Sequence, residues 1–288
     1  MASYDIVVIG GGAAGLGAAA TAAAAGLSCA VIDRMGGGGE LMNLGALQDF
    51  EAGLTGPDLM GRLLEEAMTA GAELDIAEVT ALVPTATGWH ITTDQAEHDA
   101  RAVILAIGLA PGTLNLPNEA GYEARGLSHC ATCDGPLYRG EPVIVAGADR
   151  WAALEAHELT AMCGSVTLVT QGAPAPDIEG VTIIQGHIKA LEGTNGLDAV
   201  LVQSASGPRR IPTQAVFVQT GRRPATDFAP PTLRRAADGR LPTNADHETN
   251  LPTLFAAGNA RANAPHTLRF AIQDGRQAAH AALAKLAR

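Results

Sequence analysis

Residues Ile6–Ile9 are an unbroken apolar run, and the pattern predicts a buried strand over 4–9. A glycine-rich turn follows at once. The small residues after it predict a helix to about Ala25, with Gly26 in the stop position. The next apolar run predicts a strand over 28–32 that ends on Asp33. The same succession starts again at Val143: a strand over 143–147, a helix from Arg150 to about Met162 stopped by Gly164, and a strand over 166–169. Between these lie a small β excursion at 80–84 and 90–93, and a buried strand over 102–107 ending in Gly108. A buried strand starting at Leu254 and an amphipathic helix over 267–286 close the chain. Strands alternating with helices predict an α/β protein of two Rossmann-like, doubly wound, three-layer domains, the second inserted in the first. The expected boundaries are 1–112 with 243–288, and 113–242, with Pro-rich turns near Pro111–Pro117 and Pro224–Pro242 as the crossings.

Composition narrows the function. The 288 residues are 47% hydrophobic and 17% charged, a globular balance long enough for two domains. A net charge of -11, with no basic run longer than a pair such as Arg209–Arg210, argues against nucleic acid or an anionic membrane as the main partner. No basic leader precedes an apolar segment, and the run from Ala13 to Leu27 is too short and too weakly hydrophobic to span a bilayer. The expected location is cytoplasmic, where four cysteines are not expected to serve as structural disulfides.

The first turn reads Gly10-Gly11-Gly12-Ala13-Ala14-Gly15, between a strand and a helix, with Asp33 at the end of the following strand. Each glycine has a physical task in a dinucleotide site. Gly10 makes the tight turn, Gly12 leaves room for the pyrophosphate, and Gly15 lets the helix pack on the strand. The free N–H groups of the helix start then face the phosphates. The second turn reads Gly147-Ala148-Asp149-Arg150-Trp151-Ala152, with an acid where the second glycine belongs. A carboxylate there repels a pyrophosphate and blocks backbone approach. The strand end at Thr170-Gln171-Gly172 offers neither an acid for a ribose nor an arginine for a 2′-phosphate. A fold kept and a pocket lost is the expectation, with Trp151 in the core and Arg150 paired with Asp149 or facing solvent.

Cys130 and Cys133 lie three apart, followed by Asp134 and preceded by His129. Zinc needs more ligands than this pair supplies, and Cys29 and Cys163 fall in predicted core elements as small hydrophobes. At a helix start, CxxC can close a disulfide and stabilise a thiolate, which suits redox exchange.

Taken in order, GxGxxG at 10–15, Gly38-Gly39-Glu40-Leu41, CATCDG at 130–135, Gly221-Arg222-Arg223-Pro224 and the terminal AAGNA resemble low-molecular-weight thioredoxin reductases over nearly the whole chain. The resemblance implies FAD held by the first and last segments, an inserted pyridine-nucleotide domain carrying CxxC, and a homodimer. The FAD neighbours it implies are Gly10, Gly12, Ala13, Ala14, Gly15, Asp33 and Arg34, then Gly39, Glu40, Leu41, Asp49 and Gly108. At the far end they are Gly258, Asn259, His266 and Thr267. It further implies that Cys133 faces the flavin, that Cys130 attacks the partner, and that Asp134 serves as the acid; His129 is a possible assistant or a solvated neighbour.

The departures matter as much. The basic stretch that holds a 2′-phosphate is missing, and 170–181 is too short for the usual helix. Asp49 replaces the usual asparagine, Asn259 the usual aspartate, and His266-Thr267 the usual Arg-Gln. The expected enzyme therefore passes electrons between FAD and Cys130–Cys133, and on to a thioredoxin-like protein or a small disulfide. NADPH is a doubtful donor, and a ferredoxin-type protein could replace it. Three alternatives stay open: a dithiol oxidase that uses O₂, an ordinary NADPH-dependent thioredoxin reductase, and a non-catalytic flavin-bound redox sensor.

Overall fold

The computed structural model describes residues 2–47, 50–174 and 177–287. They divide into two compact units, 1–109 with 223–288, and 110–222. The first begins with β1 (Ala2–Ile9), α1 (Ala13–Ala24) and β2 (Cys29–Ile32). After a 3-10 turn come α2 (Gly56–Thr69), β3 (Glu73–Asp75), β4 (Val79–Pro84), β5 (Trp89–Thr93) and β6 (Glu97–Leu105). The second unit runs through β7 (Ala110–Pro111), β8 (Leu127–Ser128), α3 (Ala131–Asp134), β9 (Pro142–Gly147), α4 (Arg150–Thr160) and β10 (Ser165–Val169). It continues with β11 (Val181–Ile184), β12 (Gly186–Glu192), β13 (Ala199–Ser204), β14 (Gly207–Pro212) and β15 (Ala215–Gln219), and the two-residue β16 (Arg222–Arg223) lies at the boundary. The chain then returns to the first unit for β17 (Leu254–Ala256) and α5 (Leu268–Leu286).

In the first unit the sheet order is β3-β2-β1-β6-β5-β4, with β17 also on β6. The β1–β2, β2–β3, β1–β6 and β6–β17 pairs are parallel. Strands covered on both faces cannot alternate apolar and polar residues, which is why Ile6–Val8 are fully buried in succession. On one face, Ile6, Val8, Val31 and Ile104 pack under α1, α2 and α5. On the other, Val7, Ile9, Val103 and Leu105 meet Leu82, Trp89 and Ile91 of the β4–β5 hairpin together with Ala229, Leu233 and Leu241. That segment places the second crossing at 222/223, some way before the expected 242, because Ala229 and Leu233 belong to this core and Leu82 N–H donates to the Phe228 carbonyl.

α2 is an element the apolar reading passes over. Thr55 and Asp58 form a reciprocal capping box around Pro57, and Leu59, Leu63 and Ala67 supply one buried stripe. The alanine-rich α1 has a packing reason of its own. A Cβ on Gly275 of α5 would lie 1.9 Å from the Ala14 carbonyl oxygen, and one on Gly17 would lie 2.9 Å from that of Ile272. Only small residues allow two helices to approach so closely.

In the second unit the parallel sheet runs β11-β10-β9-β15-β8, with α4 over one face and the antiparallel sheet β12-β13-β14 over the other. Three layers again result, with a β layer in place of the second helical one. β10 and β11 are parallel neighbours, yet no helix joins them among the described residues of 170–180. No helix in the described residues is long and apolar enough to cross a membrane.

Candidate active site

The glycine turn after β1 has the geometry its spacing predicts. Gly10 sits at φ +101°, and a Cβ there would come within 2.5 Å of the Ala106 carbonyl oxygen. A Cβ on Gly15 would lie 1.8 Å from the Gly10 oxygen. At Gly12 a Cβ would meet nothing within 4 Å among the described residues, so they leave the space before α1 open. Gly12 is also the N-cap of α1 and offers no side chain to its N–H groups, while Ala13 and Ala14 pack beneath. Gly258, at φ +67°, closes on this turn: its Cβ would lie 2.8 Å from that of Ala14. The first and last segments thus meet where a dinucleotide phosphate would bind, and the cradle fits FAD.

The other expected FAD neighbours divide. The Asp33 carboxylate accepts from the backbone N–H groups of Gly11 (2.7 Å), Met35 (2.9 Å) and Gly37 (3.0 Å). It therefore orders the Gly36–Gly39 loop, and of its roughly four lone-pair positions about one remains for a ribose hydroxyl. Gly39 opens the 3-10 turn, Leu41 is buried, and Arg34 and Glu40 are exposed. Gly108 takes φ +58°. Asn259 is half-buried, His266 is exposed, and Thr267 caps α5 by accepting from Phe270 N–H. Asp49 lies outside the described residues.

A buried cluster beneath Gly258 was missed. Asp274 is fully buried; it accepts from Gly258 N–H at 2.8 Å and from the Arg261 guanidinium at 2.6 and 3.0 Å. His247 Nδ1 stands 3.6 Å away. The signal was present: Asp274 falls on the buried stripe of α5 with Ala278 and Ala282. Burial pushes the His247 pKa down, against the pull of Asp274. A histidine kept neutral by folding contributes stability above its unfolded pKa, about 6.5, and that stability is lost as the pH falls from there through the lowered folded pKa. Denaturant unfolding at pH 7.5 and 5.5 should show this acid loss. His247→Asn, which tolerates the φ of +61° at this position, should shrink it; an unchanged difference in the variant would refute the assignment.

The second glycine turn differs from the first at its decisive position. Gly147 keeps its packing role, since a Cβ there would lie 2.1 Å from the Gln219 carbonyl oxygen. Asp149 is the N-cap of α4 and accepts from Ala152 N–H at 2.9 Å. Its carboxylate occupies a donor that a phosphate would otherwise take. Arg150 is exposed. Trp151, expected in the core, is instead 68% exposed, because the buried face of α4 is Ala152, Ala156 and Leu159 and its spacing leaves position 151 outside.

Cys130 and Cys133 form a disulfide, with Cα atoms 5.3 Å apart. Cys130 is the N-cap of α3, and its sulfur accepts from Cys133 N–H at 3.2 Å. Ser128, buried at the end of β8, donates to Asp134 at 2.7 Å and accepts from Cys130 N–H at 3.2 Å, so one hydroxyl ties the acid to the backbone of the pair. The His129 ring meets Glu123 at 3.2 Å, and its carbonyl accepts from Gln219. Of the remaining cysteines, Cys29 is buried, and burial pushes its thiol up to about 12. Cys163 is half-buried, its thiol also raised by burial.

Two dinucleotide-type units, one with an open glycine cradle and one with a CxxC disulfide, define a flavin-dependent disulfide oxidoreductase. The chain belongs to the pyridine nucleotide-disulphide oxidoreductase family, whose model matches residues 4–176 and 177–283. It is 30% identical to a thioredoxin reductase of Treponema pallidum, over 97% of this chain and 96% of that one. The Lactococcus lactis thioredoxin reductase structure matches with a TM-score of 0.79 at 26% identity, covering 99% of both chains. A ferredoxin-flavin thioredoxin reductase from Clostridium acetobutylicum matches with a TM-score of 0.58 at 27% identity, covering 100% of this chain and 99% of that one.

Proposed function

We propose that this enzyme reduces the Cys130–Cys133 disulfide with electrons from FAD held in the Gly10–Gly15 cradle, and passes them to a thioredoxin-like protein or a small disulfide. NADPH is not its efficient donor; a reduced ferredoxin-type protein fills that place, as the name of the clostridial relative suggests for that protein. The active form is a cytoplasmic homodimer. Asp149 carries the case against NADPH. Its side chain caps the helix a pyrophosphate would approach, and it sets a like charge beside the phosphates. Each lost charged contact costs about 1.5–3 kcal/mol, so several together take a micromolar site out of useful range.

Bound FAD supplies the two-electron reduction of the disulfide; the protein's own groups do the rest. Cys130, as thiolate, attacks one sulfur of the partner disulfide, and the partner's other sulfur leaves as a thiolate. Asp134, anchored by Ser128, delivers the proton to that leaving sulfur. Cys133 then attacks Cys130, which frees the second partner thiol and restores the internal disulfide.

The test is anaerobic stopped-flow mixing of the yellow protein with millimolar NADPH, millimolar NADH or reduced ferredoxin. Bleaching within a second by ferredoxin alone is expected. Saturable bleaching at that rate by either nucleotide would overturn the donor assignment and return the enzyme to ordinary NADPH-dependent reduction.

A further inference from the structure

Glu155 and Glu158, one turn apart on α4, both reach the first turn of α3. Glu158 takes the Thr132 hydroxyl at 2.8 Å. α4 packs on Ala131, the residue after Cys130, and the Glu155 carboxylate lies where the Ala131 N–H and the side chain of Gln219 on β15 favour its charged form. Its second oxygen, Oε2, is buried and has no hydrogen-bond partner among the described residues. A glutamine would make the same contacts without burying an ionisable group, so a contact-making role alone does not account for a carboxyl here.

We propose that Glu155 is a positioning residue that couples its own charge to the proton balance of the cysteine pair. The inference rests on the disulfide chemistry of Cys130–Cys133 and is independent of which donor feeds the flavin. Two electrons entering the disulfide break the S–S bond and leave two sulfur anions. One sulfur retains its charge as thiolate, and the other takes a proton from solvent. An ionised Glu155 beside the same turn opposes that thiolate, so reduction draws a further proton onto its carboxyl and reoxidation releases it. The local charges agree. Burial first, and then Glu158 on the same helix, favour the protonated carboxyl, while Ala131 N–H, Gln219 and Arg222 of β16 favour the ionised one; the pKa is raised on balance.

The test uses flavin-loaded protein reduced with a small dithiol and then freed of it under argon. Iodoacetamide labelling of Cys130 is followed from pH 5 to 9 by peptide mass, which keeps Cys163 separate. In Glu155→Gln the amide keeps the Ala131 contact but loses the charge, so the labelling profile should move to lower pH, with Cys130 reacting about tenfold faster near neutrality. Glu155→Ala should move it the same way. A profile that overlaps the wild type, or moves to higher pH, in a folded yellow variant overturns the proposal. Should both variants fail to fold, Cys133→Ser with Glu155 intact decides. Its lone Cys130 should label with a pH profile broader than a one-proton curve, and a simple one-proton profile refutes the coupling.

Discussion

Serine at either Cys130 or Cys133 is expected to lower disulfide reduction about a thousandfold or more while leaving the protein yellow. Removing either sulfur removes the S–S bond that takes up the electrons, and no neighbouring group replaces it: among the remaining cysteines Cys29 is buried in the other unit, and Cys163 is not part of the pair. The two variants should then differ in colour. In Cys130→Ser, Cys133 is left as a lone thiol and, if it is the flavin-side sulfur, should give a long-wavelength charge-transfer band with oxidised FAD. Cys133→Ser should lack the band. A band in Cys133→Ser alone would exchange the two roles, and undiminished turnover in either variant would remove the dithiol from the mechanism.

Gly15→Ala and Gly12→Ala should separate folding from cofactor binding. At Gly15 the added Cβ would overlap the Gly10 carbonyl oxygen at 1.8 Å, and both partners are backbone, so nothing can swing aside. Loss of FAD with about 3 kcal/mol or more of destabilisation is expected. At Gly12 the backbone is extended, at φ −78°, and a Cβ meets no atom of the described residues within 4 Å. That variant should melt like the wild type without ligand and yet bind FAD poorly, because the methyl occupies the space left for the pyrophosphate. The FAD-to-protein ratio and thermal melting of the apoproteins measure both effects. Full FAD occupancy in Gly12→Ala would mean that the cofactor does not approach the turn there.

How far such sites can be read from sequence depends on how local their causes are. The first strand, turn, helix and acid are legible because the tightest contact at Gly15, with the Gly10 oxygen, and the partners of Asp33 lie within the same βαβ unit, although Gly10 is also pressed by Ala106 beyond β6. Asp149 is legible for the same reason, its partner being Ala152 in the next turn. α2 was equally local, and its capping box was there to be read at Thr55 and Asp58. The boundary at 222/223 was not. Phe228, Ala229 and Leu233 follow no helical or strand period, and only the far-off Leu82 hairpin shows which core takes them. Trp151 and Asp274 are errors of residue type over position. A large apolar residue was placed inside and a charged one passed over, whereas their helical spacing puts Trp151 outside and Asp274 within.

The close fit of α1 against α5, with Gly17 and Gly275 at the contact, sets an order of events during synthesis. Once residue 222 has cleared the ribosome, everything the inserted unit needs has emerged, and that unit can fold. The first unit, begun earlier, has to wait. Until Leu254–Ala256 docks on β6 and α5 covers α1, its nascent sheet lacks a strand and its alanine helix lacks a cover. The half translated first is therefore completed last. During that interval it presents apolar surface, so it is the half that a stalled ribosome or a truncated message would leave open to aggregation and to chaperone capture.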